Sequence, residues 1–130
     1  MPFVTPVILE APLNESKEIL WIVYEPFHFY SERYKKNYVV PKGWKTDLAS
    51  VPRLPLVYMW YGGRGNAAGV LHDHLYRDGI RLKQIRSRTE ADKVFLEAMV
   101  STGVDKDTAE AMYGAVRKYG EKHFYGKKSR

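Results

Sequence analysis

Cysteine is absent from the 130 residues, which excludes a disulfide framework, a thiolate metal site and a thiol nucleophile. No apolar run approaches the length needed to cross a bilayer. The opening "MPFVTPVILEAPLNE" has no basic segment followed by a long apolar stretch, so neither a transmembrane segment nor a signal peptide is expected. Internal repeats, low-complexity tracts and blocks of like charge are also missing, which argues against wholesale disorder. Acidic side chains are the scarcer sign, 15 against 21 basic ones, for a formal charge of +6. That balance suits attraction to a polyanion, whether nucleic acid, anionic lipid or an acidic partner. Much of the excess lies in "RLKQIRSR" (81–88) and "GKKSR" (126–130), which also read as a solvated loop and a frayed tail.

What is present is enough for one compact domain over residues 1–130, since 45% of the residues are hydrophobic and 14% aromatic. Residues 1–50 read mainly as strands: "PVIL" (6–9), "ILWIVYEPFHFY" (19–30) and "NYVVP" (37–41) are short, β-branched and aromatic, punctuated by Pro26 and "SERYKKN". Residues 66–120 change to a helical period. Asn66 is placed to cap a first helix running to about Arg77, with Gly79 just past its end where positive φ is tolerated. Ser87 and Glu90 have capping-box spacing for a second helix, on which Ala91, Val94, Phe95, Ala98 and Met99 form an apolar stripe closed by "STGV". Asp105 is placed to cap a third, with Ala109, Met112, Tyr113 and Val116 inward and Gly120 as its stop. The fold class is therefore α+β: an N-terminal antiparallel sheet, an irregular middle, three C-terminal helices and a basic tail over 121–130.

Two stretches carry polar residues that a core would not need. In "AAGVLHDHLYRDG" (67–79) His72 and Tyr76 fall one turn apart on the same helical face, with Asp73 to one side. Asp92 sits within "ADKVFLEAM" beside the apolar stripe, where an acid near the core is costly without a partner. If the first two helices pack antiparallel, Asp92 meets His72. Such a dyad would fix the imidazole tautomer and leave the other nitrogen to take a proton from water, with Asp73 able to hold a hard cation. The same pair also serves as a buried polar network that fixes helix packing. His74 is expected to be exposed on another face, and His28 and His123 show no evident partner. In "PKGWKTDLASVPRLP" (41–55) Asp47 and Ser50 suit a turn and cap, with Thr46 and Ser50 as site-lining candidates and Asp47 as a second candidate metal ligand. Trp44, Trp60 and Tyr61 are candidate interface anchors.

"GWKTDLASVPR", "HDHLY", "ADKVFLEAM" and "MYGAVRKYG" together resemble an uncharacterised family of phage and prophage proteins, domain of unknown function 1353, over roughly residues 18–120. That resemblance implies a virion part, a tail accessory or a host-directed effector, in the host cytoplasm or the virion. A second, local resemblance covers about thirty residues: "HDHLY" followed by "ADKVF" is similar to the paired catalytic helices of phospholipase A2, especially the cysteine-free domains of parvovirus capsids. It implies His72 as the water-activating base, Asp73 as a calcium ligand, Asp92 as the orienting acid and Tyr76 as its support. The departure from that pattern is "YGGRG" (61–65), which lies a few residues before the helix rather than well upstream, so Asp47 would have to replace ligands of the calcium loop.

Three functions follow. The first is a small, metal-assisted hydrolase acting on an ester or phospholipid, with anionic lipid as the partner its charge suits. The second is a non-catalytic virion or assembly protein that contacts other phage structural proteins. The third is a nucleic-acid binder without sequence specificity, supported by net charge alone.

Overall fold

The computed structural model describes residues 9–10, 21–23, 26–46 and 66–125. The segment 47–65, with the candidates Asp47, Ser50, Trp60 and Tyr61, lies outside the described residues, as does the tail from residue 126.

The predicted run 19–30 divides at Pro26 into two strands, because a proline supplies no ladder N–H. The described strands are β1 (Leu9–Glu10), β2 (Trp21–Val23), β3 (Phe27–Ser31), β4 (Lys36–Val40) and β5 (Lys45–Thr46). β1, β2 and β5 form one antiparallel sheet with β2 central, its Trp21 opposite Thr46. β3 and β4 form an antiparallel hairpin in which Phe27 faces Val40 and Phe29 faces Tyr38. The period of two turns Phe27, Phe29, Ser31, Tyr38 and Val40 inward. Lys35, at φ 57°, takes the left-handed position of the hairpin turn.

Three helices follow: α1 (Asn66–His74), α2 (Arg88–Ser101) and α3 (Lys106–Tyr119). The N-terminal caps of α2 and α3 are those the sequence announces, while Asn66 is the first residue of α1. Ser87 Oγ accepts the Glu90 amide, and Asp105 accepts the amides of Asp107 and Thr108. The capping box is only half made, because the Glu90 carboxylate turns to the Arg86 amide at 2.9 Å rather than back to Ser87.

Two expectations are corrected. Gly79 does not sit beyond the helix at positive φ; α1 widens into a π-helical turn over Leu75–Gly79 and Gly79 is its last residue. Glycine is needed there for space, since a Cβ would stand 2.8 Å from Cγ1 of the buried Ile85. Tyr113 is half-buried rather than inward, its ring lying against the Lys93 ammonium. The whole apolar stripe on α2, and Ala109, Met112 and Val116 on α3, are buried as expected.

α1 is central. It contacts β4, β5 and α2, and every residue from Ala68 to Tyr76 is buried. Strand and helix residues, from Val23 to Phe124, join in one apolar cluster.

Two glutamates seven residues apart on α2, hence on one helical face, fasten the hairpin to it. Glu97 accepts from Ser31 Oγ at 2.6 Å and from the Glu32 amide at 2.7 Å. Glu90 accepts from Tyr38 Oη at 2.5 Å and pairs with Lys36 Nζ at 2.8 Å. Burial works against ionisation of Glu90, but Lys36, Tyr38 and the Arg86 amide overcome it and hold the carboxyl below its usual range. Burial, then the bond to Glu90, pushes the Tyr38 phenol well up. Tyr38→Phe is therefore expected to cost about 1.5 kcal/mol, the low end for a bond to a charged acceptor because Lys36 and Arg86 remain. Urea unfolding checks this, and an unchanged midpoint would show that the joint carries no weight.

Candidate functional site

The antiparallel packing of α1 against α2 brings His72 and Asp92 together, with imidazole Nε2 2.8 Å from Asp92 Oδ1. Tyr76 Oη donates to the same oxygen at 2.6 Å. Since a carboxylate only accepts, His72 Nε2 is the donor in this bond. The ring is held between Tyr76 and Phe95, with centroids 4.1 and 4.5 Å away. Tyr76 in turn meets Phe124 edge-on at 5.3 Å.

Two arginines complete the cluster, and neither was singled out from the sequence. Arg117 of α3 donates from Nη1 to Asp92 Oδ2 at 2.7 Å. Arg88, one turn before Asp92, places Nη1 3.7 Å from the same oxygen. Arg88 also donates to Tyr76 Oη and the Val116 carbonyl, and through Nη2 to the Arg117 carbonyl, each at 3.1 Å. It thereby adds side-chain donors at the last turn of α3, where the Val116 carbonyl also accepts the Gly120 amide at 2.9 Å. The i, i+4 spacing of Arg88 and Asp92 was a readable signal; the Arg117 contact depends on how α3 packs and had none. Gly120 follows α3 beside the cluster, where a Cβ would stand 2.9 Å from Tyr76 Oη.

Burial by itself would raise the Asp92 carboxyl, but the bond and charge of His72, then Tyr76 and Arg117, outweigh it and hold the carboxyl below its usual range. Burial and the Asp92 charge push the Tyr76 phenol up. Burial opposes the Arg117 charge, yet Asp92 raises its pKa above the ordinary arginine value. The result is a paired, ionised cluster linking three helices. It is also closed: His72, Tyr76 and Asp92 are all 0% exposed.

Asp73, the candidate metal ligand on α1, is buried at 1% exposure. Among the described residues no group of three or more His, Asp or Glu side chains is placed to hold a metal ion. Calcium requires six or more oxygens, so the described donor set does not by itself fit the ion. Thr46 pairs by its backbone at the end of β5.

His74 is not exposed as expected. It is 0% exposed, because α1 is enclosed by strands and α2 and has no solvent face. Its Nε2 donates to Gln84 Oε1 at 2.9 Å, and Gln84 Nε2 donates to the Val39 carbonyl at 3.0 Å. Its Nδ1 is a buried ring nitrogen without a hydrogen-bond partner. Trp44, a candidate interface anchor, is half-buried and turned inward, edge-on to His74 at 5.0 Å and bonded through Nε1 to Asp78 Oδ2 at 2.9 Å.

Residues 21–116 match the model of the family described as "Protein of unknown function (DUF1353)", and the chain belongs to that family. No curated protein and no solved structure matches the chain. No helix among the described residues is long and apolar enough to cross a membrane.

The buried His74 gives this region a pH signature. Burial lowers its pKa below the ordinary 6.5, against smaller opposing contributions from Gln84, Asp78 and Asp73. The unfolded chain therefore binds a proton that the folded chain resists, and stability falls as pH drops below about 6.5. The depressed carboxyls of Asp78, Glu90 and Asp92 lose their contribution only below about pH 4. Urea unfolding between about pH 4.5 and 7.5 is expected to show this decline, and His74→Gln to flatten it. Equal slopes in parent and variant would contradict the assignment.

Proposed function

We propose that this family member is a non-catalytic binding and assembly module, a virion or tail-accessory component of the kind the phage resemblance implies. In this reading His72, Tyr76, Arg88, Asp92 and Arg117 are its internal fastening. The observation that carries it is the closure of the cluster, since the imidazole and carboxylate are both 0% exposed. A general base must reach the proton it removes, directly or through one water. Asp92 is also engaged at both oxygens, and its charge is already matched by Arg117, an arrangement suited to holding three helices together.

A second reading is favoured by one feature. His72 meets Asp92 through Nε2 while Tyr76 braces the same oxygen, the set of partners that the phospholipase resemblance implies for a water-activating histidine. That hydrolase, acting on an ester or phospholipid with calcium at Asp73, needs a conformation that opens His72 to water.

The purified chain is expected to hydrolyse neither anionic phospholipid vesicles nor p-nitrophenyl esters, with calcium, magnesium, manganese or zinc added. Diethyl pyrocarbonate labelling read by mass spectrometry is expected to modify the half-exposed His28 and His123 while His72 stays protected. Labelling of His72 in the folded protein, with turnover that His72→Gln abolishes, would establish the hydrolase instead.

A further inference from the structure

The large apolar side chains exposed among the described residues are Leu82, Val100, Tyr119 and Tyr125. The two tyrosines differ from the aliphatic pair in their setting. Tyr119 is 63% exposed at the end of α3 and Tyr125 is 58% exposed just beyond the 3-10 turn Glu121–His123. Both belong to a segment anchored on Tyr76: the Tyr125 amide donates to the Tyr76 carbonyl at 2.9 Å, and Gly120 lies against Tyr76 Oη. A cation lies over each ring, Lys118 Nζ at 5.3 Å from Tyr119 and the Arg77 guanidinium at 5.8 Å from Tyr125. Lys122, exposed on the intervening turn, adds a third.

The sequence around these tyrosines is also basic. Leaving aside Arg117, which is paired with Asp92, the sequence from 118 to 130 holds five basic side chains against one acidic, a net +4 of the chain's +6. A polyanion is the complementary partner. Flat, exposed π-faces interleaved with cations match how single strands of nucleic acid are held without sequence preference: bases stack on the rings while cations follow the phosphates. An anionic bilayer has the same charge, but adsorption to it draws on an inserted apolar face. Here the exposed aromatic groups both carry hydroxyls.

We propose that Arg77, Lys118, Tyr119, Lys122 and Tyr125 form a binding surface for single-stranded nucleic acid, read through backbone charge and base stacking rather than sequence. This goes beyond the assembly reading and is independent of the Asp92 cluster being structural or catalytic.

Fluorescence anisotropy of the full chain with a labelled oligothymidylate of about 20 nucleotides, longer than one binding module covers, tests it. Binding is expected to weaken more than about tenfold between about 50 and about 200 mM salt. Tyr119→Leu and Tyr125→Leu are each expected to weaken it about fivefold or more by removing a stacking face, whereas Tyr→Phe at either position retains it. Both positions are exposed, so circular dichroism of the variants is expected to match the parent. Absence of binding at the lower salt, equal binding of duplex DNA, or indifference to both Tyr→Leu changes would overturn the proposal. Binding to phosphatidylglycerol vesicles without binding to the oligonucleotide would overturn it in favour of a membrane surface.

Discussion

A carboxylate taken out of water must be given back its hydrogen bonds and its countercharge, and at Asp92 that requirement is met from three helices at once. α1 supplies His72 and Tyr76, α2 supplies Arg88 along with Asp92 itself, and α3 supplies Arg117. The cost of burying such a charge unpaired is several kcal/mol, so a packing that separates any helix from the others is penalised beyond its lost apolar contact. The apolar stripes bring the helices together without fixing their depth or rotation. The directional bonds to one carboxylate supply that register. Arg88 extends the same logic outward by closing the end of α3.

How much of this could be read beforehand depended on the range of each interaction. Ser87 and Asp105 were legible as caps because a cap is settled within three residues of chain. The stripe from Ala91 to Met99 was legible because its period is local. Asp92 announced a partner by its position beside that stripe, and His72 with Tyr76 was the polar face available to it. Arg117 was hidden because its contact depends on the packing of α3. His74 was misjudged for a related reason: an amphipathic period assumes a solvent face, and α1, wrapped by strands and α2, has none. Gly79 has the spacing of a helix stop, but it is the last residue of a π turn, where its lack of a side chain makes room for Ile85. Glu90 was half read: its spacing from Ser87 located the helix start, but its carboxylate serves the hairpin through Tyr38 and Lys36.

The division of labour that results has an inside and an outside. Inside, the histidine, aspartate and tyrosine that draw the eye as a reactive constellation are committed to one another and to two guanidinium groups. Outside, Lys118, Tyr119, Lys122 and Tyr125 are exposed at and just beyond the end of α3, the surface on which the nucleic-acid proposal rests. The family match and the α+β architecture are compatible with a small module whose specificity lies in its surface. The Nε2 geometry of His72 keeps the hydrolytic alternative chemically well defined.

The equilibrium unfolding of Asp92→Asn separates these roles most directly. The amide keeps the shape of the carboxylate but removes its charge, leaving Arg117 and Arg88 without their anion. If Asp92 is the fastening of the three helices, the variant loses about 3 kcal/mol or more, as broken buried ion pairs do. A change within about 0.5 kcal/mol, or the gain in stability that follows when a strained active site is relieved, would contradict the account.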